Sequence, residues 1–284
     1  MLNTFSIILL GLVSLNSSTL NAFDFLKIIN GEPLPPGAFP FMVSLGFLRI
    51  KNYAHTCGGT IVSRYHILTA AHCVRDLGNS YNYTEYFEKK QQVLVAIAGT
   101  NNITGYSFFS LFNRDNVYLI KKISYNTAFT QITSPEDIAV LRVDKEFIFS
   151  LKISKIRLAS TRDLSVIFGQ KAIITGWGYT EEGRISNWLM YSTVSVLNGQ
   201  NNPECGGFDN TQYCIKDLTK RNSNVCYGDS GSPLLRFEKY EWVQYGIASF
   251  VFVDSNKSCL NELPSFYTMI PLLKRWTIQQ IQSI

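Results

Sequence analysis

Short apolar stretches recur along the chain, separated by polar segments that contain Gly, Asn and Asp. Some alternate apolar and polar residues with the two-residue period of a strand, and others are continuous apolar runs of strand length. Stretches of this length with turn residues between them are typical of an all-β sandwich or barrel. The predicted strands are Phe41–Leu48, Ile61–Thr69, Val93–Ala98, Ile138–Val143, Ala172–Thr175, Met190–Val196, Pro233–Phe237 and Val243–Ser249.

The C-terminal segment has a different period. At about 100° per residue its large apolar side chains share one face, which predicts a helix that packs on the barrel. These side chains are Met269, Leu272, Leu273, Trp276 and Ile284. The longest polar interval, residues 75–92, is predicted to be a surface loop. No repeat or linker divides residues 28–284, so we expect one domain there.

The first 22 residues have the character of a targeting segment. They carry no charged side chain, and the apolar stretch Phe5–Leu15 is followed by small and polar residues. This pattern predicts a secretory signal peptide at residues 1–22, cleaved between Ser18 and Ala22. A transmembrane anchor is the alternative, but it needs about 20 apolar residues. We therefore expect a secreted, extracellular protein without a membrane anchor.

Secretion changes what the cysteines and asparagines predict. In an oxidising compartment the six cysteines should be paired, although composition does not choose among the connectivities. Three sequons begin at Asn82, Asn102 and Asn256, which are candidate glycosylation sites. The formal net charge of +5 is spread along the chain without a basic run, so nucleic acid is not an expected partner.

Three segments carry residues suited to nucleophilic catalysis: 69–73 (TAAHC), 137–141 (DIAVL) and 228–233 (GDSGSP). A serine hydroxyl attacks an amide only with an adjacent base. Histidine suits that role because its ordinary pKa of about 6.5 lets it accept and return a proton near neutrality. A carboxylate on the other ring nitrogen orients the imidazole. The candidate catalytic residues are therefore His72 as base, Asp137 as orienting acid and Ser230 as nucleophile.

In this order the three segments resemble the chymotrypsin-like serine peptidases, and the resemblance covers residues 28–284. It implies two packed six-stranded antiparallel β-barrels with a C-terminal helix, and no cofactor. It also implies an oxyanion hole formed by the backbone N–H groups of Gly228 and Ser230, and a hydrogen bond from Ser249 to the triad carboxylate. Ser232 stands where the family has glycine, which predicts a local backbone adjustment and rules out a nucleophile elbow.

The resemblance also implies disulfides, and it frames the question of metals. The implied pairs are Cys57 with Cys73, Cys205 with Cys214, and Cys226 with Cys259. The stretch that holds calcium in some relatives, Gly99–Arg114, contains no Asp or Glu, so no metal is expected. The other two histidines, His55 and His66, are predicted to be structural because no zinc-type spacing surrounds them.

The segment Lys27-Ile28-Ile29-Asn30-Gly31 resembles the family's activation junction. By resemblance, residues 23–27 form a short propeptide and an activating protease cleaves after Lys27. The new ammonium of Ile28 would then pair with the carboxylate of Asp229 and set the oxyanion loop. Because an unpaired buried charge costs about 3–5 kcal/mol, the precursor is expected to be inactive.

The resemblance places Asn224 at the base of the substrate pocket and Val251 and Ser265 on its wall. An uncharged residue at the bottom of the pocket argues against a trypsin-like preference for Lys or Arg. Side chains on the wall predict small to medium uncharged P1 residues, as in elastases. The segment 251–259 is longer than usual in the family, so a chymotrypsin-like preference for larger apolar residues stays open.

The expected function is hydrolysis of protein or peptide substrates by a monomeric enzyme, with protein protease inhibitors as possible further partners. The alternative is a non-catalytic homologue that serves as a secreted binding or regulatory module, because a fold does not guarantee an activity.

Overall fold

The computed structural model describes residues 28–131, 135–198, 202–206 and 212–284. The expected signal peptide and propeptide, including Lys27, lie outside these ranges. The β-strands are β1 (Glu32–Pro33), β2 (Met42–Arg49), β3 (Tyr53–Ile61), β4 (His66–Thr69), β5 (Gln92–Ala98), β6 (Val117–Tyr125), β7 (Ala139–Val143), β8 (Arg157–Leu158), β9 (Lys171–Gly176), β10 (Met190–Val196), β11 (Gln212–Lys216), β12 (Pro233–Glu238), β13 (Glu241–Val251) and β14 (Ser265–Met269). The α-helices are α1 (Tyr83–Lys90), α2 (Ser110–Asn113) and α3 (Ile270–Ser283).

Six strands close into the first barrel in the order β2-β3-β4-β7-β6-β5, with every neighbouring pair antiparallel. The second barrel contains β9, β10, β11, β14, β13 and β12, and the pairing of β10 with β9 closes it. Two short strands extend this sheet: β1 pairs with β10, and β8 pairs in parallel with β13. Two six-stranded antiparallel barrels and a C-terminal helix were predicted, and the structure confirms them.

Some predicted elements need correction. The interval 75–92 is not all loop, because Tyr83–Lys90 forms α1, in which Asn82 Oδ1 accepts hydrogen bonds from the backbone of Thr84 and Glu85. Helix α1 is polar overall, which is why hydrophobic periodicity missed it. The predicted strand Ile61–Thr69 is two strands joined by a turn at 62–65. The strands β1, β6, β8, β11 and β14 were not predicted, and of β3 only Ile61 lay in a predicted strand.

A layer of apolar side chains joins the two barrels. Leu68 and Val140 from the first barrel share a buried cluster with Leu235 and Ile247 from the second and with Ile270 of α3. Burial of this apolar surface fixes the barrels against each other. The ends of β4 and β7 therefore lie beside β13 and the loop that precedes β12. Among the described helices, none has both the length and the hydropathy needed to cross a bilayer.

Three disulfides staple the fold, and their pairing is the one expected. Cys57 on β3 bonds to Cys73 beside the end of β4, Cys205 bonds to Cys214 on β11, and Cys226 bonds to Cys259. Each cross-link stabilises by about 2–4 kcal/mol, mainly by restricting the unfolded chain. The first and third hold the two segments on either side of the cavity described next.

Candidate active site

The geometry of β4 and β7 brings His72 and Asp137 together. Thr69 at the end of β4 pairs with Ala139 at the start of β7, so the residues just beyond these strand ends are neighbours. His72 lies in the 3-10 turn Ala71–Cys73, which the disulfide to Cys57 anchors. Its backbone N–H donates to Asp137 Oδ1 at 2.9 Å, and its ring Nδ1 donates to Oδ2 at 2.7 Å.

Asp137 is fully buried and has further donors from the second barrel. Ser249 on β13 donates from Oγ to Asp137 Oδ2 at 2.7 Å, and Thr268 on β14 donates to the backbone carbonyl of Asp137 at 3.1 Å. Together these hydrogen bonds fix the position of Asp137 and the direction of its carboxylate. A carboxylate at Nδ1 fixes the tautomer of His72, which leaves Nε2 without a proton and able to act as a base.

The loop that carries Ser230 shows a pattern in its backbone donors. The N–H groups of Asp229, Gly231 and Ser232 donate to the carbonyls of Cys226, Ala248 and Asp229 at 2.9–3.0 Å. Within the described residues, the N–H groups of Gly228 and Ser230 donate to no protein acceptor. Two free donors on alternate residues, one of them on Ser230 itself, match what a tetrahedral oxyanion requires.

Gly228 has φ +93°, a conformation that L side chains rarely adopt. A Cβ there would lie 2.8 Å from Ile185 Cδ1 and 3.1 Å from Gly178 Cα. A side chain at 228 would therefore strain the loop and push it away from residues 178–185. Glycine at this position keeps the free N–H of residue 228 in place.

His55 forms a hydrogen bond to the same loop, a contact that the sequence did not reveal. Its Nε2 donates to the carbonyl of Gly228 at 2.9 Å, and its Nδ1 accepts from Ser44 Oγ at 2.7 Å. Burial lowers the pKa of His55 to about 4, so the ring is neutral near neutral pH. The hydrogen bonds of His55 are structural contacts, and one of them is to the residue that supplies a candidate oxyanion donor. His66 instead contacts Ser63 and Ile284, away from this loop.

A cavity of about 300 Å³ opens beside these groups. His72 and Ser230 both line it, and no hydrogen bond joins the Ser230 hydroxyl to His72 among the described residues. Hydrogen bonds between catalytic groups often tighten only when substrate is bound. The other lining residues are Val225, Cys226, Tyr227, Ala248, Ser249, Phe250, Val251 and Val253.

The expected pocket residues divide into two groups. Ser249 and Val251 line the cavity, and Phe250 stacks on Phe266 with ring centroids 4.6 Å apart. Asn224 and Ser265 are buried next to the lining residues without lining the cavity themselves. Asn224 donates from Nδ2 to the carbonyl of Leu263 at 3.0 Å and accepts at Oδ1 from the N–H of Val225. Tyr227 and Val253 also line the cavity and were not predicted from the sequence.

Asp229 is the second fully buried carboxylate of this region. It accepts only two backbone hydrogen bonds within the described residues, from Gly178 at 2.8 Å and Cys226 at 3.0 Å. Burial raises its pKa to about 7 because these two donors do not offset desolvation. Ile28 is fully buried in the core of the same barrel.

A model of the trypsin family matches residues 28–277. The chain belongs to the trypsin family. This member is 29% identical to chymotrypsin-2 of Vespa crabro over 252 residues, which cover 88% of this chain and 97% of that protein. It is 26% identical to a chymotrypsin of Phaedon cochleariae over 260 residues, which cover 88% of this chain and 81% of the relative.

In this trypsin-family chain, one cluster of potential metal ligands is found within the described residues: Cys57, His72 and Cys73. Both sulfurs belong to a disulfide, so they offer no thiolate to a metal. The donor chemistry of the cluster therefore fits acid–base work by His72 better than metal binding.

Proposed function

We propose that this protein is a secreted serine endopeptidase in which Ser230 is the nucleophile, His72 the general base and Asp137 the orienting acid. The main support for the proposal is the arrangement of these three residues. The Asp137 carboxylate holds Nδ1 of His72 at 2.7 Å, while His72 and Ser230 share one cavity. This arrangement supports proton transfer from the serine hydroxyl to Nε2.

The proposed reaction is acyl transfer in two steps. Ser230 Oγ attacks the peptide carbonyl as His72 Nε2 takes its proton, and the N–H groups of Gly228 and Ser230 stabilise the oxyanion. The imidazolium then protonates the leaving amine, which departs and leaves an acyl-enzyme. Water, deprotonated by His72, attacks the ester and releases the acid product and free Ser230.

We further propose that the enzyme is made as a zymogen. Burial raises the pKa of Asp229, so its ionised form would gain from a cation beside it. The Ile28 ammonium released by cleavage after Lys27 would supply that cation. Ile28 also has φ +53°, which is unfavourable for a β-branched residue. Cleavage removes the preceding carbonyl carbon and with it this steric conflict.

The cavity supports an uncharged P1 residue. Ala248, Val251 and Val253 are among its lining residues, and no described lining residue is acidic. A cationic side chain would lose its hydration there without gaining a partner. We propose small to medium uncharged P1 residues. The alternative is a preference for larger apolar residues, which the names of the chymotrypsin relatives support. Mass spectrometry of peptide-library products gives the preference directly, and dominant Lys or Arg at P1 would contradict it.

Covalent labelling tests the proposed activity most simply. The secreted chain is cleaved after Lys27 and treated with a serine-directed phosphonate, with Ser230→Ala and the uncleavable Lys27→Gln as matched variants. We expect labelling of the cleaved wild type alone, with the adduct on Ser230. If correctly cleaved wild type takes no label, the protein is a non-catalytic homologue.

A further inference from the structure

A second surface site lies around Asn102, away from the catalytic cavity. A cavity of about 500 Å³ is lined by residues 99–102 together with Pro36, Gly37, Leu151, Lys152 and Trp188. Trp188 is 47% exposed and Leu151 is 93% exposed. Exposed apolar side chains around a concave surface are common at binding sites. The peptidase proposal makes no use of this surface.

Backbone pairing sets Asn102 beside Trp188. The N–H of Leu189 donates to the carbonyl of Asn101 at 2.8 Å, and the N–H of Ile103 donates to the carbonyl of Asn187 at 3.0 Å. These bonds frame an antiparallel bridge in which Asn102 and Trp188 are directly opposite. Opposite residues of such a bridge point to the same face, with Cβ atoms about 4.5–5.5 Å apart.

The side chain of Asn102 has one free end. Its Oδ1 accepts from the backbone N–H of Thr104 at 2.8 Å and from Thr104 Oγ1 at 2.7 Å, which fixes the rotamer. Its Nδ2 donates no hydrogen bond within the described part of the chain, and the residue is half-buried rather than enclosed. Asn102 and Thr104 are also the first and third residues of a sequon.

We propose that Asn102 carries an N-linked glycan whose first N-acetylglucosamine packs on the indole face of Trp188. The Nδ2 nitrogen attacks C1 of a lipid-linked oligosaccharide diphosphate. The C1–N bond forms, the C1–O bond to the lipid diphosphate breaks, and Nδ2 loses one proton. The C–H groups of the sugar ring then cover apolar indole surface, while Oδ1 keeps its bonds to Thr104. This inference rests on the proposed secretion, because that route supplies the glycosyl donor.

The sequon at Asn82 offers a matched comparison. Its Oδ1 also accepts two backbone hydrogen bonds, from Thr84 and Glu85, and Nδ2 is likewise free among the described residues. Asn82 is exposed and caps α1, and it has no tryptophan opposite it in a strand bridge. A glycan at Asn82 would therefore extend into solvent, whereas one at Asn102 would lie on the protein.

Site-by-site mass spectrometry of the full chain secreted by cultured insect cells measures occupancy. We expect sugar on Asn102 of the wild type and none at this position in Asn102→Gln. A secreted protein with an unmodified Asn102 overturns the inference and leaves the peptidase proposal untouched, because phosphonate labelling is measured separately. Retention of the chain inside the cell, with every sequon unmodified, contradicts the proposed secretion and the glycan together.

Packing on Trp188 has its own readout. Under native conditions a glycan-releasing amidase should act about two- to tenfold more slowly at Asn102 in the wild type than in Trp188→Ala, because stacking protects the linkage. Trp188→Phe should fall between them, and Tyr240→Ala, which removes a ring that is 95% exposed elsewhere, should leave the rate unchanged. Equal release rates in the wild type and Trp188→Ala would show that the sugar does not contact the indole.

Discussion

Two carboxylates are fully buried within the candidate active site, and their surroundings differ. Asp137 accepts from the backbone and ring of His72 and from Ser249, which come from both barrels. Asp229 accepts from the backbone of Gly178 and Cys226 alone within the described residues. Asp137 can pair with the imidazolium that the proposed reaction forms on His72. Asp229 has hydrogen-bond donors but no cation beside it among the described residues.

This difference indicates which part of the site is complete in the folded chain. Asp137 needs nothing more to orient His72, so that half of the chemistry is preorganised. Asp229, with its pKa raised to about 7, lacks a cation among the described residues, and the proposed Ile28 ammonium would supply one. The proposed switch is therefore confined to the loop 226–231, and the His72–Asp137 pair is independent of it.

The largest expected effect is on the His72–Asp137 pair. Replacing Asp137 with Asn should lower kcat by about 10⁴-fold, because the amide favours the wrong tautomer of His72 while leaving the packing intact. Steady-state kinetics of the cleaved enzyme measures this loss. Asp163→Asn is the control, since that carboxylate caps a surface turn next to Ser160. A loss below tenfold in Asp137→Asn with normal folding would remove Asp137 from the proposed triad.

The next prediction concerns the stability of the uncleaved chain with Asp229 unpaired. A carboxyl whose pKa rises on folding binds its proton in the folded state and loses it in the unfolded state between about pH 4 and 7. Its contribution to stability therefore falls as pH rises through that window, by about 1.4 kcal/mol per pH unit. His55, with its pKa lowered to about 4, acts in the opposite direction below pH 6.5. The pKa of the neighbouring Tyr267 is well above its ordinary value, so Tyr267 stays neutral throughout the window.

Urea unfolding of Lys27→Gln/Ser230→Ala at several pH values, with and without Asp229→Asn, isolates this term because His55 is common to both proteins. In the uncleaved chain, the difference in unfolding free energy between the proteins with and without Asp229→Asn should change across pH 4–7. In a cleavable Ser230→Ala chain that has been cut after Lys27, the same difference should depend less on pH in this range. Equal pH slopes with and without Asp229→Asn would mean that the carboxyl is not protonated in the precursor.

The candidate active site also shows which features can be predicted from the sequence and which cannot. Short contiguous segments identified His72, Asp137 and Ser230, and the order of those segments implied the two barrels that the structure contains. The sequence could not supply His55, since its contact with the Gly228 carbonyl joins residues 173 positions apart. The resemblance implied a place for Asn224 at the base of the pocket but not its hydrogen bond to the Leu263 carbonyl, 39 positions away. Side-chain direction depends on tertiary hydrogen bonds that periodicity does not encode.

A smaller effect is expected where Ser249 meets Asp137. The Ser249→Ala variant removes one hydrogen bond to a buried charge, typically worth about 1.5–3 kcal/mol, and part of that loss should appear in the transition state as the imidazolium forms. We expect kcat/KM to fall by about tenfold. The serine also lines the cavity, so KM and kcat are compared: a loss confined to KM would assign Ser249 to substrate binding alone.

The smallest effect concerns Ser232, beside Asp229. Its hydroxyl is fully buried and has no partner within the described residues, and it fits only because residue 58 is glycine: a Cβ there would lie 2.0 Å from Ser232 Oγ. An unpaired buried hydroxyl costs about 1–3 kcal/mol, so Ser232→Ala should raise the unfolding free energy by about 1 kcal/mol without changing kcat. Ser44 is an equally buried control whose hydroxyl bonds to Tyr53 and His55, and Ser44→Ala should destabilise. If Ser232→Ala destabilised the protein as much as Ser44→Ala, the Ser232 hydroxyl would have to form a hydrogen bond in the folded protein. The surroundings of Asp229 would then include one more polar contact than those described above.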